Sequence, residues 1–339
     1  MLFIDRLIER IIETKNPSII GLDTQIEFVP TSLRETSAAQ YGAGARAAAE
    51  AIYMFNKELI DNIKDIVPAV KPQIAFYELY GSYGAEAFIK TASYAGENGL
   101  LVIADAKRND IGSTATAYAD AFLSSKSNLT RNNAYINDTP RNASDSNNGA
   151  SPNPAADYGE YFADAITVNP YLGYDGIEPF IANCKKYDKG IFILVKTSNP
   201  SSGDFQDLEL AGGMKVYEHI AGKVDEWGRA DGLMGTYGYS SVCAVVGATY
   251  PSQAKTLREK MKRTYFLVPG YGAQGGSADD AAAAFDDAGL GAIVNASRSV
   301  LRAWTHERWG GKYSHDDFAV AARAEALRMR DEINNAIFK

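Results

Sequence analysis

Residues 105–114 read Asp-Ala-Lys-Arg-Asn-Asp-Ile-Gly-Ser-Thr and follow directly on the apolar run Leu100-Leu101-Val102-Ile103-Ala104. Two carboxylates and an ammonium therefore leave the end of one buried strand. Side chains alternate along a strand, so Asp105 and Lys107 are predicted on the same side, close enough for each to set the charge state of the other. Asp110 falls past the strand end, where the chain turns into a helix. Such a cluster is costly to take out of water unless every charge is paired, which makes it a place for chemistry rather than an ornament of a core. Taken alone, the D-x-K-x-x-D spacing equally fits a structural ion pair at a strand end.

A second group of residues suits an anion. Val268-Pro269-Gly270-Tyr271-Gly272-Ala273-Gln274-Gly275-Gly276 is a glycine-rich segment, and Val294-Asn295-Ala296-Ser297-Arg298 follows it. Glycines let backbone N–H groups approach phosphate closely. Arg298 offers a fixed-charge fork and Gln274 an amide donor. A solitary glycine loop is usually only a turn, so its position in the fold decides.

Short apolar runs rich in Val and Ile, at 18–23, 67–71, 100–105, 165–169, 191–197, 242–246, 266–269 and 292–295, read as strands buried on both faces. Between them, stretches such as 45–63, 85–94, 114–123, 214–227, 252–261 and 278–288 have helical periodicity. Strand alternating with helix in this way predicts a closed parallel (β/α)8 TIM barrel. The strands run out into Asp23, Lys71, Asp105 with Lys107, Asn169, Lys196 with Ser198, Thr249, Gln274, and Asn295 with Arg298. A barrel gathers these ends on one face, and the loops after its seventh and eighth strands are the usual phosphate pocket.

The 339 residues, 46% hydrophobic, are read as one barrel domain over 1–339. The tract 124–157, dominated by Asn, Ser, Ala, Pro and Asp, is a polar surface insertion after the third helix. A helix near 316–337 is expected to pack back on the barrel. The net charge of −8 argues against a nucleic-acid surface. The first twelve residues are amphipathic and interrupted by charge, unlike a signal peptide. No run approaches the roughly 18 apolar residues of a membrane span. Cys184 and Cys243 have neither disulfide-framework nor metal-ligand spacing, and a soluble protein of the reducing cytoplasm is expected. His219, His306 and His315 lie away from the strand ends and are read as surface or packing residues.

Several blocks in one order carry a family likeness. They are Gly21-Leu22-Asp23, Val70-Lys71-Pro72-Gln73-Ile74-Ala75-Phe76-Tyr77-Glu78, the Asp105 to Thr114 motif, Thr167-Val168-Asn169-Pro170-Tyr171-Leu172-Gly173, Leu194-Val195-Lys196-Thr197-Ser198-Asn199-Pro200, Val246-Gly247-Ala248-Thr249 and the two anion segments. Over nearly its whole length the chain resembles the orotidine 5'-phosphate decarboxylase family in its longer form. The resemblance implies decarboxylation of orotidine 5'-monophosphate to uridine 5'-monophosphate in pyrimidine biosynthesis, by a homodimer, with no metal or organic cofactor. Matched residue by residue, it implies a charge array of Lys71, Asp105, Lys107 and, from the neighbouring subunit, Asp110. Lys107 would protonate C6 of the pyrimidine and Asp105 would be held against the substrate's carboxylate. Lys71 and Asp23 would contact ribose hydroxyls, with Asp110 and Thr114 reaching across the interface toward the same sugar. Ser198 would contact the pyrimidine, and Gln274 and Arg298 the phosphate.

Three rivals use the same residues. A metal-dependent phosphosugar decarboxylase or synthase can carry D-x-K-x-x-D on the same barrel. A Schiff-base aldolase would use Lys107 or Lys196 as nucleophile. A barrel without activity could serve as a binding partner, although that would not require the charge array and the anion loops together.

Overall fold

The computed structural model describes residues 1–124, 163–272, 275–309 and 311–339. Eight parallel strands close into a barrel in chain order. They are β1 (Ser18–Leu22), β2 (Ala69–Pro72), β3 (Leu101–Arg108), β4 (Ala165–Val168), β5 (Gly190–Lys196), β6 (Ser240–Val246), β7 (Thr264–Val268) and β8 (Ala292–Ala296). The last strand returns to the first, with Val294 opposite Ser18 and Ala296 opposite Ile20. The predicted (β/α)8 barrel is present, and each strand end falls within three residues of its predicted position. Residues 125–162, which hold nearly all of the 124–157 tract, lie outside the described residues.

Alternation divides the strands into two faces. Ile19, Ala69, Ile103, Ala165, Phe192, Val245, Leu267 and Ile293 are buried together inside the barrel. Their neighbours Ile20, Val70, Val102, Ile166, Ile191, Ala244, Phe266 and Val294 join the surrounding helices in the outer core.

The N-terminal amphipathic helix, Phe3–Thr14, closes the barrel floor by packing Phe3, Ile4, Leu7, Ile8 and Ile11 on the inner cluster. Phe3 meets Phe192 edge to face at 6.0 Å. Burying each such side chain contributes about 1.5–3 kcal/mol, so this helix belongs to the core. A β-carbon at Gly190 would stand 2.1 Å from the Phe3 ring. Gly190→Ala is accordingly expected to destabilise the protein by about 1–3 kcal/mol through overpacking, seen as a lower urea midpoint at unchanged slope.

The C-terminal helix spans Phe318–Ile337 and stacks Phe318 on Phe55 of the helix Ala45–Ile63, with centroids 4.4 Å apart. The helix predicted over 278–288 stops at Ala282. Asp286 ends that segment in a turn, because its carboxylate accepts from the backbone N–H groups of Ala288 and Leu290 while Gly289 takes φ 77°. Among the described residues no helix is long and apolar enough to cross a membrane.

One departure from simple alternation bears on the site. Ala104 of β3 pairs with Ile166 of β4, yet Arg108 pairs with Val168, so four steps along β3 match two along β4. The extra residues form a bulge in which Lys107 adopts φ 47°. The strand therefore extends to Arg108 rather than ending at Asp105, and Asp105 and Lys107 are not neighbours by strand period. They meet because the bulge turns Lys107 back toward the carboxylate.

Candidate active site

Inward parity, followed to the C-terminal ends of the strands, carries Asp23, Lys71, Asp105, Thr167 and Asn295 above the inner core. They line a cavity of about 550 Å³ at the barrel mouth. Lys71 Nζ donates to Asp105 Oδ2 at 2.5 Å and Lys107 Nζ to Asp105 Oδ1 at 2.6 Å. Asp23 stands 3.9 Å from the Lys71 ammonium. The Lys71 side chain is 5% exposed and that of Lys107 48%, so one cation lies deep in the cavity wall and the other stands open over it.

Burial pushes the Asp105 carboxyl up, but the ammoniums of Lys71 and Lys107 outweigh it and hold the group well below the ordinary carboxylate range. Burial likewise pulls Lys71 down, and Asp105 with Asp23 more than reverses this, leaving it raised. Both groups stay charged through the neutral range. The Asp105 contribution to stability is in place above its unfolded value of about 4 and is lost only as pH falls through its lower folded value. The raised Lys71 works in the opposite sense, losing its contribution only as pH climbs through its folded value. Lys71→Ala strips a buried partner from Asp105 and should cost about 3 kcal/mol in a denaturant melt.

The substrate-binding residues predicted from the sequence fall into three groups. Asp23, Ser198 and Arg298 line the cavity with the array. Ser198 sits close because a β-carbon at Gly247 would stand 2.9 Å from its backbone, while Thr249 Oγ1 donates to its carbonyl at 3.3 Å. Arg298 opens the helical turn Arg298–Leu301 and is exposed. Gln274 lies outside the described residues, between Gly272 and Gly275, both in the left-handed region. Asp110 and Thr114 are not among the residues lining the cavity of their own chain. The Asp110 carboxylate instead accepts from the Ile111 N–H at 2.8 Å, and Thr114 is exposed on the helix Gly112–Leu123.

Three strand-end residues expected at this face serve elsewhere. Between Leu194 and Lys196 the register of β5 shifts against β6, and Lys196 leaves the cavity lining. It is fully buried, donating to Asp207 at 2.9 Å and Ser202 at 3.2 Å, with its ammonium 4.7 Å from the Tyr250 ring centroid. That placement removes Lys196 from the Schiff-base reading. Asn169 Oδ1 accepts from the Tyr171 N–H, and Thr249 supports Ser198.

Sequence reasoning assigned no role to Thr167, although it stands in a quoted motif and its Oγ1 donates to Asp105 Oδ1 at 2.9 Å. Its inward parity with Ala165 is the signal that would have found it. Asn295 lines the cavity with Oδ1 buried and without a partner among the described residues. Gly21 makes room there, since a β-carbon would lie 2.0 Å from Ser297 Oγ.

A closed (β/α)8 barrel with alternating ammonium and carboxylate groups at its C-terminal mouth defines an enzyme of the barrel class. The orotidine 5'-phosphate decarboxylase / HUMPS family model matches residues 36–139 and 153–309, and the chain belongs to that family. It is 40% identical to orotidine 5'-phosphate decarboxylase of Rhodopirellula baltica, over 98% of this chain and 99% of the other. Among solved structures it is similar to Leishmania donovani OMP decarboxylase, with TM-score 0.66, 27% identity and full coverage of both chains. It is also similar to Leishmania donovani UMP synthase, with TM-score 0.68 and 28% identity, covering all of this chain and 57% of that longer one.

Proposed function

We propose that this chain converts orotidine 5'-monophosphate to uridine 5'-monophosphate in pyrimidine biosynthesis. The observation that carries the reading is the Lys71–Asp105–Lys107 array lining the cavity of a chain in this family. The C6–carboxyl bond breaks, its electron pair stays on C6, carbon dioxide leaves, and Lys107 Nζ delivers a proton to C6. The ring offers that electron pair no conjugated sink, so the protein must raise the bound carboxylate, stabilise the carbanion, or do both. Asp105, held ionised, repels an adjacent substrate carboxylate, and that repulsion disappears as neutral carbon dioxide forms. The Lys107 ammonium faces the growing negative charge. Binding energy at the remote ribose and phosphate offsets the cost of bringing two carboxylates together.

In this reading Lys71 and Asp23 hold ribose hydroxyls, Ser198 the pyrimidine, and Arg298 with Gln274 the phosphate. Asp110 and Thr114 serve the partner's site in a homodimer. Their position outside their own cavity supports this, as do the exposed Ile111 and Tyr174, which line one surface depression with Gly112 and Thr116. The chain is read as one barrel with an insertion over 124–157, which the break in the family match between 139 and 153 supports. Two buried free cysteines fit a cytoplasmic location.

The test is the absorbance change when the purified protein meets orotidine 5'-monophosphate, with and without EDTA. Equal turnover in both is expected. No turnover overturns the reading, and loss on chelation transfers the site to metal-dependent phosphosugar chemistry. Arg298→Ala should weaken substrate binding through the phosphate alone. With orotidine lacking its phosphate the variant and wild type should therefore react alike, and a large difference there refutes the clamp.

A further inference from the structure

We propose that Thr167 is a positioning residue for the decarboxylation, setting the geometry of Lys107 and Asp105 together through one hydroxyl; the proposal rests on the reading above. The Thr167 side chain is buried at the end of β4 and lines the cavity. Its Oγ1 accepts from the backbone N–H groups of Ala106 at 3.0 Å and Lys107 at 2.9 Å, and lies 2.9 Å from Asp105 Oδ1. A hydroxyl has two acceptor sites and one proton. Backbone amides can only donate, so both acceptor sites are used and the remaining proton must point at the carboxylate. The direction of all three bonds follows from valence alone.

These contacts do two things at once. The pair of amide bonds pins the bulge at the point where Lys107 is held at φ 47°, a conformation that a non-glycine residue keeps only when its surroundings enforce it. The bond to Asp105 adds a third donor to the two ammoniums and fixes which face of the carboxylate each of them meets. A small rotation at the bulge would swing the long Lys107 side chain off the line to C6, and a misplacement of about 1 Å can cost on the order of 100-fold in rate.

The test compares Thr167→Val, which keeps the shape and removes the hydroxyl, with Thr167→Ser, which keeps the hydroxyl. Turnover of orotidine 5'-monophosphate and the dissociation constant of uridine 5'-monophosphate are measured for each. Thr167→Val should lower kcat by roughly 30- to 100-fold and leave product affinity within about threefold, while Thr167→Ser stays within about threefold of wild type in both. If Thr167→Val retains kcat within about threefold, or loses product affinity by the same factor as kcat, the positioning role is wrong. If Thr167→Val fails to fold, Thr167→Ala is measured with the same expectations and the same refuting results. Wild-type turnover separates the two failures, because an inactive wild type overturns the functional reading itself and this proposal with it.

Discussion

Lys107→Ala should abolish turnover while leaving fold and nucleotide binding nearly intact. The lysine side chain is half-exposed over the cavity, and removing it leaves Asp105 still bonded to Lys71 and Thr167, so no buried charge is stranded. In the proposed reaction its work lies in the chemical step, where it would supply both the proton and the positive charge facing C6. The loss should therefore appear in kcat, with uridine 5'-monophosphate binding and the denaturant midpoint little changed. Residual turnover within about tenfold of wild type, a barrier change of only about 1.4 kcal/mol, would remove Lys107 from that role. The contrast with Lys71→Ala is diagnostic: its ammonium bonds the same carboxylate from a buried position, so its removal should register in stability as well.

The second large effect is recovery rather than loss. Two inactive chains, one carrying Lys107→Ala and one carrying Asp110→Ala, should regain activity when refolded together or coexpressed. If Asp110 serves the partner's site, a mixed dimer holds one site with both defects and one with neither. Random pairing makes about half the dimers mixed, so recovered activity should approach about a quarter of wild type in a C2 dimer. Were Asp110 to act within its own chain, every site of the mixed dimer would carry one defect and nothing would return. No rescue in verified heterodimers refutes the shared site while leaving the lysine assignments standing.

The sequence by itself determined the barrel, because strand and helix periodicities are local properties of the chain and eight Val- and Ile-rich runs leave few ways to bury two faces. It also determined that Asp23, Lys71 and Asp105 would share one mouth, since inward parity continues from the buried residue two positions before each: Gly21, Ala69 and Ile103. The N-terminal amphipathic helix was equally legible as a helix, but not as the barrel floor, because amphipathicity names the face that is buried and not what buries it.

Tertiary structure decided the rest through register. Lys107 reaches Asp105 by a bulge whose amide partner is the hydroxyl of Thr167, 60 residues away in the chain. Lys196, with the same inward parity as Leu194, was turned out of the site by a shift against β6 and anchored to Asp207. Alternation predicts a side chain's face only while each strand residue advances with its partner. Where two strands slip, the face is chosen by hydrogen bonds to a neighbour that the local sequence does not contain. Asp110 and Thr114 carry the same lesson to the next level, since their place outside their own chain's cavity follows from where the loop after β3 lands on the folded surface.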